Sequence, residues 1–212
     1  MIKKFTILGE RCSGTNFARV TISENLNLDI TWEYGWKHYF GKNNFNNSDD
    51  TLFIGIIRNP IDWLDSFYKN PHEIPDENKP LYNFLLNKFC NKSTKNYNMF
   101  QNDLQNEYSN IFEMRKLKNN FLMNKMQTLV KNYILISYEE LTLNTEKVLN
   151  NIKDKFNLTF KKSTIEKITY YKIFKDIPFV RKPVTFSDDI IQFIKHNLDA
   201  EQEEKLGYKI FE

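Results

Sequence analysis

Residues Gly9-Glu10-Arg11-Cys12-Ser13-Gly14-Thr15-Asn16 place two glycines in the order G-x-x-x-x-G directly after the apolar stretch Phe5-Thr6-Ile7-Leu8. Between a strand and a helix, such a turn points backbone N–H groups at one spot. The dipole of the following helix adds to them, so a phosphate or similar anion is held there. A nucleoside triphosphate with magnesium needs two more groups: a Lys after the second glycine for the β/γ-phosphates, then a Ser or Thr for the metal. Thr15 and Asn16 occupy those places. The loop therefore offers an anion cradle, with Arg11, Ser13, Thr15 and Asn16 as nearby donors, and lacks both groups that serve a triphosphate. The spacing alone also fits a plain connecting turn.

A second arrangement lies in Ile56-Ile57-Arg58-Asn59-Pro60-Ile61-Asp62-Trp63-Leu64-Asp65-Ser66-Phe67-Tyr68. Arg58 closes the apolar run 52–57, and Ser66 follows about two turns along the expected helix. A guanidinium fork with a hydroxyl can clasp a phosphate distinct from the one over the glycine loop. Two separate anion sites imply a ligand phosphorylated at two places. Thiolate chemistry is the other option at the loop. Six residues separate Cys12 from Arg19, one more than in the C-x5-R loop where a cysteine attacks a cradled phosphate, so Cys12 reads as a small packing residue.

The pattern R-N-x-x-D-x-x-x-S-x-Y of Arg58 to Tyr68 resembles the 3′-phosphate motif of sulfotransferases that use 3′-phosphoadenosine 5′-phosphosulfate (PAPS). Arg11-Cys12-Ser13-Gly14-Thr15 resembles their 5′-phosphosulfate loop. Ile136-Ser137-Tyr138-Glu139-Glu140-Leu141 is similar to the family's later "YEDL"-like segment, and Phe179-Val180-Arg181-Lys182 to its "RKG" element. The resemblance implies that Arg58 and Ser66 bind the 3′-phosphate with Arg181 and Lys182 beside it. It also implies that Arg11, Cys12, Ser13, Gly14, Thr15 and Asn16 wrap the 5′ end and that Tyr138 lies near the adenine. The product would be PAP, and no metal would be required. His38 is the candidate base, with Glu33 and then Glu10 behind it, since the family places a histidine or carboxylate near this part of the site. Arg11 or Lys37 would supply the positive charge of the lysine that cytosolic members carry where this chain has Cys12. Pro183 stands in place of the last glycine of "RKG". The acceptor would be a hydroxyl or amine of a glycan or small molecule. A P-loop kinase of nucleotides or small molecules, or a non-catalytic PAP-binding module, are the alternatives.

These residues need elements to position them. Phe5–Leu8, Asp29–Tyr34, Leu52–Ile57 and Tyr133–Ile136 read as strands, the third with the continuous apolar character of a parallel strand covered on both faces. Asn16–Asn25 and Ile61–Lys69 read as helices, the second with Asn59 as cap and Pro60 in its first turn. Residues 81–131 read as mostly helical around a loop near 91–98, followed by helices at 145–156 and 163–171 and one starting at Ser187. Asp199 and Gln202 form a capping box for a last helix that Gly207 ends. Strands alternating with helices predict an α/β, three-layer P-loop-like fold with a central, mostly parallel sheet, as one domain over residues 1–212.

At 212 residues the chain can bury a real core. Its 30 Lys and Arg against 27 Asp and Glu are scattered, which suits a local anion pocket and argues against a nucleic-acid partner. Two cysteines and three spread histidines give neither a disulfide framework nor a metal-ligand spacing, so a reducing cytoplasm is expected. The apolar start is too short for a signal peptide and no run has membrane-spanning length, so no stable membrane insertion is expected. Oligomeric state is not encoded in any recognisable pattern.

Overall fold

The computed structural model describes residues 1–71, 74–89, 103–105, 107–171 and 174–211. The expected loop at 91–98 and Cys90 lie outside them.

Thr51–Ile57 (β3) is buried at every position. Leu52, Ile54 and Ile56 enter one core cluster, Phe53 and Ile57 another on the opposite side, as the alternation of side chains along a strand requires. It lies inside a four-stranded parallel sheet ordered β2-β1-β3-β4, with β1 at Lys4–Leu8, β2 at Asp29–Ile30 and β4 at Tyr133–Ser137. Helices cover both faces, so the α/β class expected from the alternating pattern is the one observed. On the first face, α1 (Thr15–Asn25) contributes Ala18 and Ile22. From farther along the chain, Thr145–Phe156 adds Val148, Leu149 and Ile152. On the second, Phe121 and Leu122 of a π-helical turn (Phe121–Lys125) and Met126 pack on Leu8, Phe53 and Ile57. A third cluster joins Trp63, Leu64 and Phe67 of α2 (Pro60–Lys69) to α3 (Leu81–Leu86), α4 (Ile111–Asn120) and Ile194.

The strand order decides where a ligand can sit. From β1 the chain passes through α1 to β2, then returns across β1 to pair with β3 on its other side. Between β1 and β3 the connections depart toward different clusters, α1 to one and α2 to another. Open α/β sheets bind ligands in the crevice at such a switch, outside the strands' carboxyl ends. Gly9 follows β1 there and Arg58 follows β3.

The caps behave as expected. Asn59 accepts from the N–H groups of Ile61 and Asp62, and Asp199 accepts from Gln202 at 3.0 Å to start a helix at Ala200–Lys205. Two expectations fail. The strand expected over Asp29–Tyr34 ends at Ile30. Thr31 still donates to Phe5 at 2.9 Å, and the chain then turns at Trp32–Gly35, where Gly35 has φ of 102°. The helix expected at 163–171 is absent. Buried Asn25 accepts from the Glu166 N–H at 2.7 Å and donates to its carbonyl at 3.0 Å, holding the segment extended. It continues into an antiparallel pair, β5 (Tyr170–Tyr171) with β6 (Phe174–Pro178). Among the described residues, no helix is long and apolar enough to cross a membrane.

Candidate functional site

The glycines of the loop are explained by what surrounds them. A Cβ on Gly9 would meet Ile56 at 2.7 Å, and one on Gly14 would run into the Tyr138 ring at a φ of 95°, where side chains are strained. Cys12 takes a left-handed φ of 63° without being glycine. The loop closes on itself through Glu10, whose carbonyl accepts from the Ser13 N–H at 3.1 Å and the Ser13 hydroxyl at 2.6 Å. Gly14 is the N-cap of α1 and no side chain caps that end. The N–H groups of Thr15 and Asn16 thus belong to a first turn without intrahelical acceptors.

Arg58 and Ser66 both face this loop. Arg58 Nη1 donates to the Cys12 carbonyl at 2.9 Å, its guanidinium lies 4.8 Å from the centre of the Tyr138 ring, and its buried Nε has no hydrogen-bond partner among the described residues. Arg115 holds the Arg58 carbonyl at 3.0 Å. The Ser66 hydroxyl bonds to the Cys12 sulfur, and burial outweighs that bond to push the thiol's pKa up, which keeps it a thiol and suits the packing role. Tyr138 opens α5 (Tyr138–Leu143) and is buried, edge-on to Phe17 at 5.9 Å. Arg181 Nη2 bonds to Asp62 at 2.8 Å on α2, and its charge reaches the Tyr138 hydroxyl. Lys182 beside it is exposed. Four stretches far apart in sequence therefore meet at the switch point.

The segment after β2 closes the other side. Lys37 is buried, and its Nζ donates to Asn16 Oδ1 at 2.6 Å, at the start of α1. Gly9 N–H donates to the Lys37 carbonyl at 2.9 Å, while His38 Nδ1 lies 2.8 Å from the Gly9 carbonyl. A carbonyl only accepts, so Nδ1 carries the proton and Nε2 holds the free lone pair. Burial, then the charge of Lys37, drop the His38 pKa to about 3, so the ring is neutral across the ordinary range.

Other candidates are placed elsewhere. Arg11 is buried, its Nε 3.0 Å from Glu10 and its guanidinium 4.8 Å from the centre of the Phe67 ring, so its charge balances Glu10 inside the protein. Glu33 is exposed and pairs with Lys4 at 3.2 Å. Glu10 is covered. Burial alone would raise its pKa, yet Lys118 and Arg11 outweigh that and hold it at about 2.

Sequence reasoning missed the groups beneath the loop. Lys118 Nζ bonds to Glu10 at 2.5 Å, and Arg115 bonds Glu203 through two nitrogens at 2.5 and 2.7 Å. Their partners lie 88 to 108 positions away, and no local pattern marks them. An open cleft of about 380 Å³ beside β4, lined by Ile57, Met123, Leu135, Glu140 and Lys205 among others, contains none of the residues given a catalytic or binding role from the sequence. No protein-family model matches the chain, and no curated protein matches it. Among the described residues, no group of His, Cys, Asp and Glu is arranged to hold a metal ion.

Proposed function

We propose that the chain is a sulfotransferase that binds PAPS at the switch point between β1 and β3 and sulfates a hydroxyl or amine of a glycan or small molecule. The observation that carries this reading is the 2.9 Å bond from Arg58 to the Cys12 carbonyl, which sets the two anion-binding elements side by side. The fit rests on two further features: the buried, unpartnered Arg58 Nε and the uncapped first turn of α1. Arg58, with Ser66 and Arg181, would take the 3′-phosphate, and Ser13 to Asn16 the 5′ end.

PAPS, when bound, supplies the activated sulfuryl group. The protein's part is orientation, charge and proton removal. Lys37, fixed on Asn16, brings an ammonium to the start of α1, the position left without a cation by Cys12. His38 Nε2 would accept the proton of the acceptor. The neutral ring is available at pH 7, its low basicity set by burial and then by the charge of Lys37.

The test is turnover of labelled PAPS against an acceptor panel, with wild type and His38→Ala side by side. Label transfer by the wild type, strongly reduced in the variant at equal PAP affinity, is the expected result. Equal turnover by both proteins would remove His38 from the role, and PAP binding without transfer to any acceptor would favour a binding module.

A further inference from the structure

Lys118 has no place in the scheme above, yet its surroundings are unusual. It is 1% exposed, on α4, and its ammonium touches three groups from different parts of the chain. These are Glu10 Oε2 at 2.5 Å, the His38 carbonyl at 2.7 Å and Asp103 Oδ2 at 3.2 Å. An ammonium has three protons, so each is accounted for. The Phe40 ring, its centre 5.1 Å away, completes the enclosure.

Two of those contacts matter together. Glu10 is the floor of the glycine loop: its Oε1 accepts from the Arg11 N–H at 2.7 Å and its carbonyl holds Ser13. His38 is strapped to the same loop by its Nδ1 bond to the Gly9 carbonyl. Lys118 thus bridges the two segments whose separation decides where His38 Nε2 points. Asp103, which accepts from the Tyr108 hydroxyl at 3.0 Å, meets the same ammonium from another part of the chain.

The geometry points to Lys118 as the positioning residue of this site: its ammonium locks residue 38 against the glycine loop and thereby imposes the Nδ1–H tautomer that leaves Nε2 unprotonated. It rests on the proposed function only in calling His38 the base. The charged groups facing the ring are Lys37 from its own segment, and Glu10 and Arg11 from the loop.

The experiment is long-range ¹H–¹⁵N correlation of the His38 ring across pH, with no ligand present, so it is independent of PAPS chemistry. In the wild type the ring should show the Nδ1–H tautomer and stay unprotonated through pH 5. In Lys118→Met it should lose that single tautomer and titrate upward, toward the ordinary imidazole range. Asp103→Asn, which disturbs the same buried ammonium on its far side, should leave the His38 signals unchanged. A folded Lys118→Met protein with the wild-type tautomer and titration overturns the proposal. So does an equal change in Asp103→Asn, which would mark a general loss of packing. Should Lys118→Met not fold, the balanced pair Glu10→Gln with Lys118→Gln replaces it, judged by the same signals. A tautomer shift in a protein that never turns over PAPS would sink the sulfotransferase reading and leave this one standing.

Discussion

The loop after β1 and the strap at 179–185 both carry arginines, and they use them in opposite ways. Arg11 is sealed among Glu10, Phe67 and Phe89, whereas the Arg181 side chain is 59% exposed and tied to Asp62 by one bond. The loop is braced by the buried ion pair of Lys118 with Glu10, and Arg58 beside it by Arg115, itself paired with buried Glu203. The strap is held to α2 by Arg181, by Lys69 on the Pro183 carbonyl at 3.1 Å and by Thr185 on Asp65 at 2.9 Å. The same residue type in two loops thus serves the fold in one and stays open to solvent in the other. Burial, which sequence spacing does not report, separates the two. In the proposed PAPS site the loop would be the rigid wall and the strap the lighter, reachable one.

That contrast breaks most visibly in the rigid wall. Replacing Arg115 by Met strands the Glu203 carboxylate in the interior, and urea unfolding should show a loss of about 3–5 kcal/mol. Gly14→Ala forces a side chain into the Tyr138 ring at positive φ. It should cost about 1–3 kcal/mol in the same assay and weaken PAP binding as well. Arg181→Ala should be the mildest, within about 1 kcal/mol of wild-type stability because an exposed pair is screened, with its effect confined to nucleotide affinity by calorimetry. If Arg181→Ala destabilised as much as Arg115→Met, the distinction between the walls would be lost.

Acid should act through the same buried wall. His38 titrates near 6.5 when unfolded and at about 3 when folded, so between these values the unfolded chain holds a proton that the folded one lacks. Glu10, with an ordinary value of 4.5 and a folded one of about 2, works in the same direction at lower pH. Stability is therefore complete above about pH 6.5 and falls as pH drops toward 3, first through His38 and then through Glu10. Thermal melts of wild type and His38→Gln should diverge below pH 6.5, the variant losing less.

Much of the scaffold was legible from residues alone, for reasons the coordinates make plain. The run at 52–57 is apolar because β3 is covered on both faces, and Asn59 and Asp199 cap the helices they precede. These signals are local, so a chain read in order reveals them. The helix expected at 163–171 failed because the decisive partner, Asn25, lies 141 positions from Glu166. Its Ile165, Ile168, Tyr170 and Tyr171 also suit extended chain. For the site, Arg58 and Ser66 were nameable from their motif, and Lys37 and His38 from the resemblance; all four contact residues 9–16. Arg11, named as a possible cation of the site, packs its guanidinium against Glu10, Phe67 and Phe89, and Lys118 was invisible, because contacts at that range leave no trace in neighbouring residues.

The central claim is that Arg58 and the glycine loop grip two phosphates of one nucleotide. A thermal-shift series with PAP and with ATP, each with EDTA and with magnesium, tests it on wild type and Arg58→Ala. PAP without metal, near a hundredfold excess over its Kd, should raise the wild-type midpoint by roughly 5–10 °C and leave Arg58→Ala almost unmoved. A wild-type protein that ignores PAP and responds only to ATP with magnesium would contradict the claim and return the chain to the kinases.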